Sequence, residues 1–300
     1  MSSGKQSGKL KKSKYGGRAG RRKAPYGYGG VSPKKSLGQN FLIDEGVIDA
    51  IAGGCGADAG ALVIEIGPGT GALTLPLAER AGFLAAVELD DKLIEPLRVK
   101  TFGMDNVRII HEDILKLDID SLIDEIKETH EITSVRVVGN LPYYITTPII
   151  MKLLETAHGI DSITVMMQKE VADRIAAEPG ERMSGAITYS VHYYAEVSKV
   201  TDAPRECFYP APNVDSEVLR LDIRKEAAVK TADADFMFRC IKTGFSQRRK
   251  TLLNSLSAME GLDKVKVAEA LSAAGIDENR RAESLTLAEF AALADYLREE

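Results

Sequence analysis

The chain has 300 residues, 44% of them hydrophobic and 28% charged, and a formal net charge of −5. This is enough apolar material for one large domain or two unequal ones, with no apolar run near the roughly 18–20 residues that span a bilayer. No signal-peptide pattern opens the chain, so the expectation is a cytoplasmic globular protein with no membrane segment.

Charge is unevenly placed. Residues 1–43 hold 11 Lys or Arg and no acid, which leaves 28 basic against 44 acidic residues beyond them, a net of −16. Residues 1–31 are set apart as a basic arm, expected to be disordered because it is Gly/Ser-rich and has almost nothing to bury. It reads either as a solvated tail or as an electrostatic arm that gains affinity from phosphates by counterion release. Cys55, Cys207 and Cys240 lie far apart, and His111, His130, His158 and His192 are scattered. Neither a disulfide framework nor a metal site is expected.

Beyond the arm, short apolar strands alternate with amphipathic helices. A strand over 61–65 leads into Gly67-Pro68-Gly69-Thr70-Gly71 and a helix through about Ala81. Next come a strand over 83–88, a helix over 91–100, and strands over 107–111 and 134–138. A helix over 147–156 and a strand over 162–167 complete the series. Such alternation demands crossover connections, hence an α/β, doubly wound, mainly parallel sheet. Two further strands, 196–201 and 217–224, lack an intervening long helix and are expected to close the sheet edge as an antiparallel pair. From about residue 227 the period is helical, over 236–245, 249–259, 265–274 and 287–298. The domains expected are the arm, 32–226, and a smaller all-helical domain over 227–300.

The glycine run sits between a strand and a helix, where glycine permits a tight turn and close approach of backbone to a ligand. Glu88 follows 17 residues after Gly71, at a strand end suited to the two hydroxyls of a ribose. Such a loop also opens dinucleotide-binding folds. Two details favour S-adenosylmethionine: Glu65 precedes the glycines, and Pro68 removes an amide that a pyrophosphate would need. Glu112-Asp113-Ile114, after the third strand, offers a carboxylate for an exocyclic amine and an apolar face for its ring; by itself it would read as a helix cap.

Asn140-Leu141-Pro142-Tyr143 follows the fourth strand, at the carboxyl edge where open α/β sheets bind ligands. An adenine N6 is a poor nucleophile because its lone pair is delocalised into the ring. An Asn side-chain oxygen and a backbone carbonyl can hold both amine hydrogens and turn the lone pair toward a methyl group about 3–3.5 Å away. Pro142 stiffens the turn, and Tyr143 offers a stacking face worth roughly 1–3 kcal/mol. The same four residues could form a plain turn; the upstream glycine loop is what gives them chemistry.

Over roughly residues 32–300 the chain resembles the ribosomal RNA adenine dimethyltransferase family, which includes the erythromycin-resistance methyltransferases. The matching pieces are Leu37-Gly-Gln-Asn-Phe-Leu42, the glycine run from Glu65, Glu88, Glu112-Asp113 and the Asn140 tetrad. Phe208-Tyr-Pro-Ala-Pro-Asn-Val-Asp-Ser216 and Phe245-Ser-Gln-Arg-Arg-Lys-Thr-Leu-Leu-Asn254 complete the set. The resemblance implies a Rossmann-like methyltransferase sheet in which Asn40, Leu42, Gly67, Glu88, Asp113 and Asn140 contact S-adenosylmethionine; Gly69 of the loop and Ile114 on the adenine face are expected to join them. It implies that Asn140, Leu141 and Tyr143 hold the target adenine, in the turn that Pro142 stiffens, with Phe208 on its other face or, alternatively, packed in the core. Arg248, Arg249 and Lys250 would meet RNA, or form a solvated helix face. The implied reaction is double methylation of two neighbouring adenines near the 3′ end of small-subunit rRNA. The implied partner is the small ribosomal subunit, met by a monomer. A large-subunit rRNA methyltransferase and a non-catalytic ribosome-assembly factor on the same fold are the competing readings. A DNA methyltransferase is disfavoured by the basic signature and by the absence of a target-recognition region.

Overall fold

The computed structural model describes residues 33–34, 38–156 and 158–298. The basic arm and Leu37 therefore lie outside the described residues. In chain order the elements are β1 (Phe41–Leu42), α1 (Glu45–Gly54), β2 (Ala61–Ile66), α2 (Thr74–Ala78), β3 (Phe83–Glu88) and α3 (Asp91–Lys100). Then come β4 (Val107–His111), α4 (Ile119–Thr129), β5 (Ser134–Asn140), α5 (Thr146–Thr156), β6 (Ser162–Gln168), α6 (Lys169–Ala176) and α7 (Ala186–Tyr194). The remainder is β7 (Ala195–Ala203), β8 (Phe208–Tyr209), β9 (Ser216–Ile223), α8 (Ala234–Ser246), α9 (Leu252–Leu256), α10 (Lys264–Ala273) and α11 (Leu287–Arg298).

Seven strands form one sheet in the order β4-β3-β2-β5-β6-β9-β7. The first five are parallel, and β9 runs antiparallel to both β6 and β7, so the expected antiparallel pair closes the edge. Alternation along the strands divides the core. Leu62, Ile64, Val135, Val137, Ile163 and Val165 face α4 and α5, whereas Val63, Leu84, Val138 and Met166 face α1 and α2. Both faces are covered, which is why the strands read as continuous apolar runs. The chain leaves β2 toward β3 on one side and β5 toward β6 on the other. The β2–β5 boundary is thus the switch point, where a crevice opens at the carboxyl ends of the strands.

Local chemistry sets the ends of the helices. Asp44, Asp90, Asp118, Asp233 and Asp263 each accept a backbone N–H of the first turn. Two helices are shorter than their periodicity suggests. Gly67, Gly69 and Gly71 all take positive φ, so the chain is still turning until α2 begins at Thr74. Thr251 caps α9, which places Arg248, Arg249 and Lys250 on the exposed turn before it rather than on a helix face.

A second core forms among α8, α9, α10 and α11 around the fully buried Phe290. It shares α7 with the sheet. Val191 packs on the sheet side, while Tyr189 meets Phe290 edge-on at 5.2 Å and donates to the Leu285 carbonyl at 2.5 Å. None of the described helices is long and apolar enough to cross a membrane.

Candidate active site

A pocket opens at the switch point, lined by the glycine loop, the ends of β3 and β4, the Asn140 tetrad and residues 38–42. The strand ends place these groups together for a backbone reason. Gly139 pairs with Ile66 across β5 and β2, and a Cβ there would lie 3.1 Å from the Ile66 carbonyl and 2.8 Å from Leu141 Cδ2. The glycine lets the tetrad fold back against the glycine loop, and a Cβ built on Gly67 would lie 3.9 Å from the Asn140 carbonyl.

Glu88 ties the loop to β3. Its carboxylate accepts from Gly69 N at 3.0 Å and from Asp90 N at 2.8 Å. Burial pushes this carboxyl upward, against the pull of those two backbone bonds. Asp90 holds the next layer, accepting from Lys34 Nζ at 2.5 Å and Gln39 Nε2 at 2.9 Å. Burial alone would raise Asp90, but these bonds outweigh it and hold the carboxyl below its ordinary value. Segment 38–42 is thereby fastened across the pocket mouth. Asn40 and Leu42 line it, and β1 pairs antiparallel with β8.

Glu65 is almost fully buried on the α2 side of the sheet, where Thr74 Oγ1 donates to it at 2.7 Å. Burial, reinforced by the Glu88 charge, pushes its carboxyl up to about 8 despite the Thr74 bond. A folded value above the unfolded one means that Glu65 supports stability fully below about pH 4.5, and that this support is lost as pH rises through about 8. The Glu88 shift has the same sign. Glu65→Gln is therefore expected to flatten the fall in Tm between pH 5 and 8.5, read by thermal melts across that range. An unchanged Tm profile would show that the Glu65 carboxyl is not raised.

Asp113 and Ile114 line the pocket beyond β4. Asp113 Oδ1 accepts from Leu115 N at 3.0 Å, a local turn, and its Oδ2 lies 4.0 Å from Lys116 Nζ. Lys152, on α5, fixes this loop by donating to the Ile114 and Leu117 carbonyls at 2.9 and 2.7 Å. Lys100 does the same for the glycine loop, at 2.9 Å to the Thr70 carbonyl.

In the tetrad, Asn140 Nδ2 donates to the Asn40 carbonyl at 3.2 Å. That bond turns the amide, and no donor among the described residues reaches its Oδ1. The Pro142 carbonyl is taken by Ile145 N and Thr146 Oγ1, both at 3.1 Å. Leu141 is buried, and Tyr143 lines the cavity with its hydroxyl 2.7 Å from Ser216 Oγ.

The structure brings Asn40, Leu42, Gly67, Gly69, Glu88, Asp113, Ile114, Asn140, Leu141, Pro142 and Tyr143 to one cavity. It does not bring Phe208 there. That ring is 3% exposed, packed in the core cluster of Leu42 and Val63, with Leu42 as its register partner in the two-stranded sheet. Arg248, Arg249 and Lys250 are exposed and form no ion pair among the described residues. Lys34, Gln39, Thr74, Asp90, Lys100, Lys152 and Ser216 belong to the site's frame without having been singled out by sequence. Gln39 and Ser216 lie inside the motifs quoted above, which is the one signal that marked them. No group of three or more His, Cys, Asp or Glu residues suited to a metal occurs among the described residues.

Comparison with known proteins agrees with this geometry. The family profile described as "Ribosomal RNA adenine dimethylase" matches residues 30–299. "Ribosomal RNA small subunit methyltransferase A" of Bacillus licheniformis is 49% identical over 273 residues, covering 90% of this chain and 93% of that protein. Its namesake in Geobacillus thermodenitrificans is 50% identical, covering 89% and 92%. Among solved structures, a dimethyladenosine transferase from Plasmodium falciparum shares the fold with TM-score 0.70 at 23% identity, over 84% of this chain and 95% of that one. The 23S rRNA methyltransferase ErmE aligns with TM-score 0.65 at 27% identity, over 86% and 99%. With a profile matched along nearly its whole length and relatives at about half identity, the chain belongs to the ribosomal RNA adenine dimethylase family.

Proposed function

We propose that this enzyme uses S-adenosylmethionine to dimethylate N6 of two adjacent adenines near the 3′ end of small-subunit rRNA, in the course of making the subunit. The observation that carries the reading is the abutment of the glycine loop and Asn140 at the switch point, with no donor on Asn140 Oδ1 among the described residues. The small subunit is favoured over the large one by the names of the relatives at 49% and 50% identity, against 27% for ErmE. A purely non-catalytic assembly role is disfavoured because the complete set of pocket groups is present.

The residues fit the cofactor. A Cβ on Gly69 would lie 3.3 Å from the Phe41 ring, so the loop needs glycine to stay close-packed around a ligand. Glu88 keeps lone pairs for ribose hydroxyls beyond the two it gives to backbone, Asp113 can accept from an adenine amine, and Ile114 can pack on its ring. Asn40 and Leu42 close the pocket above. Bound S-adenosylmethionine supplies an electrophilic methyl group on a sulfonium.

The protein's part is orientation. Asn140 Oδ1 and the Leu141 carbonyl accept the two N6 hydrogens and aim the lone pair, Pro142 stiffens the turn, and Tyr143 supports the base. No strong general base is required, because the nitrogen becomes acidic once the new bond forms. We assign Phe208 to backing Leu42 and β1 rather than to stacking, since its ring is in the core. The helical region 227–298 is proposed to face RNA through the exposed turn Arg248-Arg249-Lys250, which forms no ion pair among the described residues, with phosphates as partners. The enzyme is proposed to act as a cytoplasmic monomer that docks on the much larger particle.

The test is transfer of labelled methyl to unmethylated small subunits, large subunits, naked rRNA and DNA, with products mapped by primer extension. Label at two adjacent adenines of the small subunit is expected. Label confined to large subunits or DNA, or none anywhere, overturns the proposal.

A further inference from the structure

Tyr143 sits in the irregular turn between β5 and α5 and is only half-buried. Pro142 restricts the backbone before it, which leaves the rotation of the ring about the Cα–Cβ bond to be set by side-chain contacts. The ring is held at its far end. Its hydroxyl lies 2.7 Å from Oγ of Ser216, 73 residues further along the chain.

Ser216 is a firm anchor. It is 1% exposed and opens β9, paired with Gln168 of β6 on one side and Ala203 of β7 on the other. Its neighbours are tied as well. The Asp215 carbonyl accepts from Lys169 N at 3.0 Å, and Asp215 Oδ1 accepts from Arg205 N at 3.0 Å. Glu217, itself buried, takes Lys199 Nζ at 2.8 Å and Lys169 Nζ at 3.1 Å. A stacking platform needs only a ring, which Phe would supply. The hydroxyl is a further feature, and it satisfies a buried Ser oxygen that would otherwise be left costly and unpaired.

We propose that Ser216 is a positioning residue for methyl transfer: its bond to the Tyr143 hydroxyl fixes the swing of that ring, and so the height and tilt at which the adenine amine is presented. This rests on the reading of Tyr143 as the support of the base. The demand is greater in the second methylation. The monomethylated nitrogen has one hydrogen left for the two acceptors, so the ring beneath the base bears more of the orientation. Burial pushes the Tyr143 hydroxyl upward, which keeps it a phenol able to share the bond with Ser216.

The test is a double-mutant cycle of Ser216→Ala and Tyr143→Phe on small subunits, with the first and second methyl additions timed separately. Each single variant is expected to lower turnover about 3- to 10-fold, the loss of one ordinary hydrogen bond. Monomethyladenosine should accumulate while the Kd for S-adenosylmethionine holds, and Ser216→Ala, which leaves no buried oxygen unpaired, should keep its Tm. The double variant should be no slower than either single one. Full turnover in both single variants, or losses that multiply in the double one, overturns the inference. If Ser216→Ala fails to fold, Tyr143→Phe removes the same bond from the accessible side, and normal turnover with no monomethyl product then overturns it. Tyr143→Ala separates the two levels. Full transfer by that variant defeats the underlying reading of Tyr143, whereas its inactivity beside normal Ser216→Ala and Tyr143→Phe enzymes defeats only the role of Ser216.

Discussion

Asn140→Ala is expected to reduce methyl transfer by at least about 100- to 1,000-fold in kcat, the scale of losing one preorganised hydrogen-bonding group at a reacting centre. Two losses combine. The Oδ1 acceptor proposed to aim the amine lone pair disappears, and so does the 3.2 Å bond from Nδ2 to the Asn40 carbonyl that couples the tetrad to the pocket's upper edge. The second loss reaches the cofactor, so S-adenosylmethionine should bind more weakly yet still measurably. Asn140 is the last residue of β5 and only half-buried, and its backbone pairing with Met166 does not depend on the side chain. The fold is therefore expected to hold, with Tm near that of the parent. Single-turnover transfer and titration calorimetry check both halves. Turnover within tenfold of the parent would sink the assigned role, because a reaction that depends on aiming a delocalised lone pair cannot spare its acceptor.

The parallel core was legible because both faces of its strands are buried, which makes each strand an apolar run between turn residues. The strands over 83–88 and 107–111 and the helices over 91–100 and 287–298 lie where periodicity puts them. What escaped was structure whose signal is long-range or too short. Phe41–Leu42 and Phe208–Tyr209 are two-residue strands more than 160 residues apart, and two residues have no period. That pairing decides where Phe208 goes, so the motif alone left its ring open between the adenine face and the core. Helices α6 and α7 are short, with eight and nine residues, and α7 divides its apolar residues between two cores, which blurs any single stripe. At the site, the motif residues were visible but their burial was not. Glu65 and Glu88 stand at strand ends that sequence allows to be solvated, yet both are enclosed, because Thr74 and the glycine loop fold over them. Lys100 and Lys152 look like ordinary solvated charges until their ammonium groups are seen on loop carbonyls.

Glu88→Ala is expected to weaken S-adenosylmethionine binding by about 100-fold or more, close to 2.7 kcal/mol, while changing fold stability far less. The asymmetry comes from the state of the carboxyl. Its raised value means that burying this charge opposes folding, so deleting it relieves that burden and offsets part of what is lost with the bonds. Binding gains no such relief. Glu88 joins Gly69 N to Asp90 N, and Asp90 in turn holds Lys34 and Gln39, so a single carboxylate shapes both the glycine loop and the segment closing the pocket. Without it, two backbone donors lose their acceptor, the loop is free to relax, and the proposed ribose contact is gone. Glu88→Gln keeps the shape and one acceptor oxygen, so its affinity should fall between the parent and Glu88→Ala. Calorimetric titration with S-adenosylmethionine, set beside thermal melts of the same samples, resolves the matter. Binding by Glu88→Ala within threefold of the parent would remove Glu88 from the cofactor site. A Tm loss of more than about 10 °C with binding intact would make it a structural carboxylate instead.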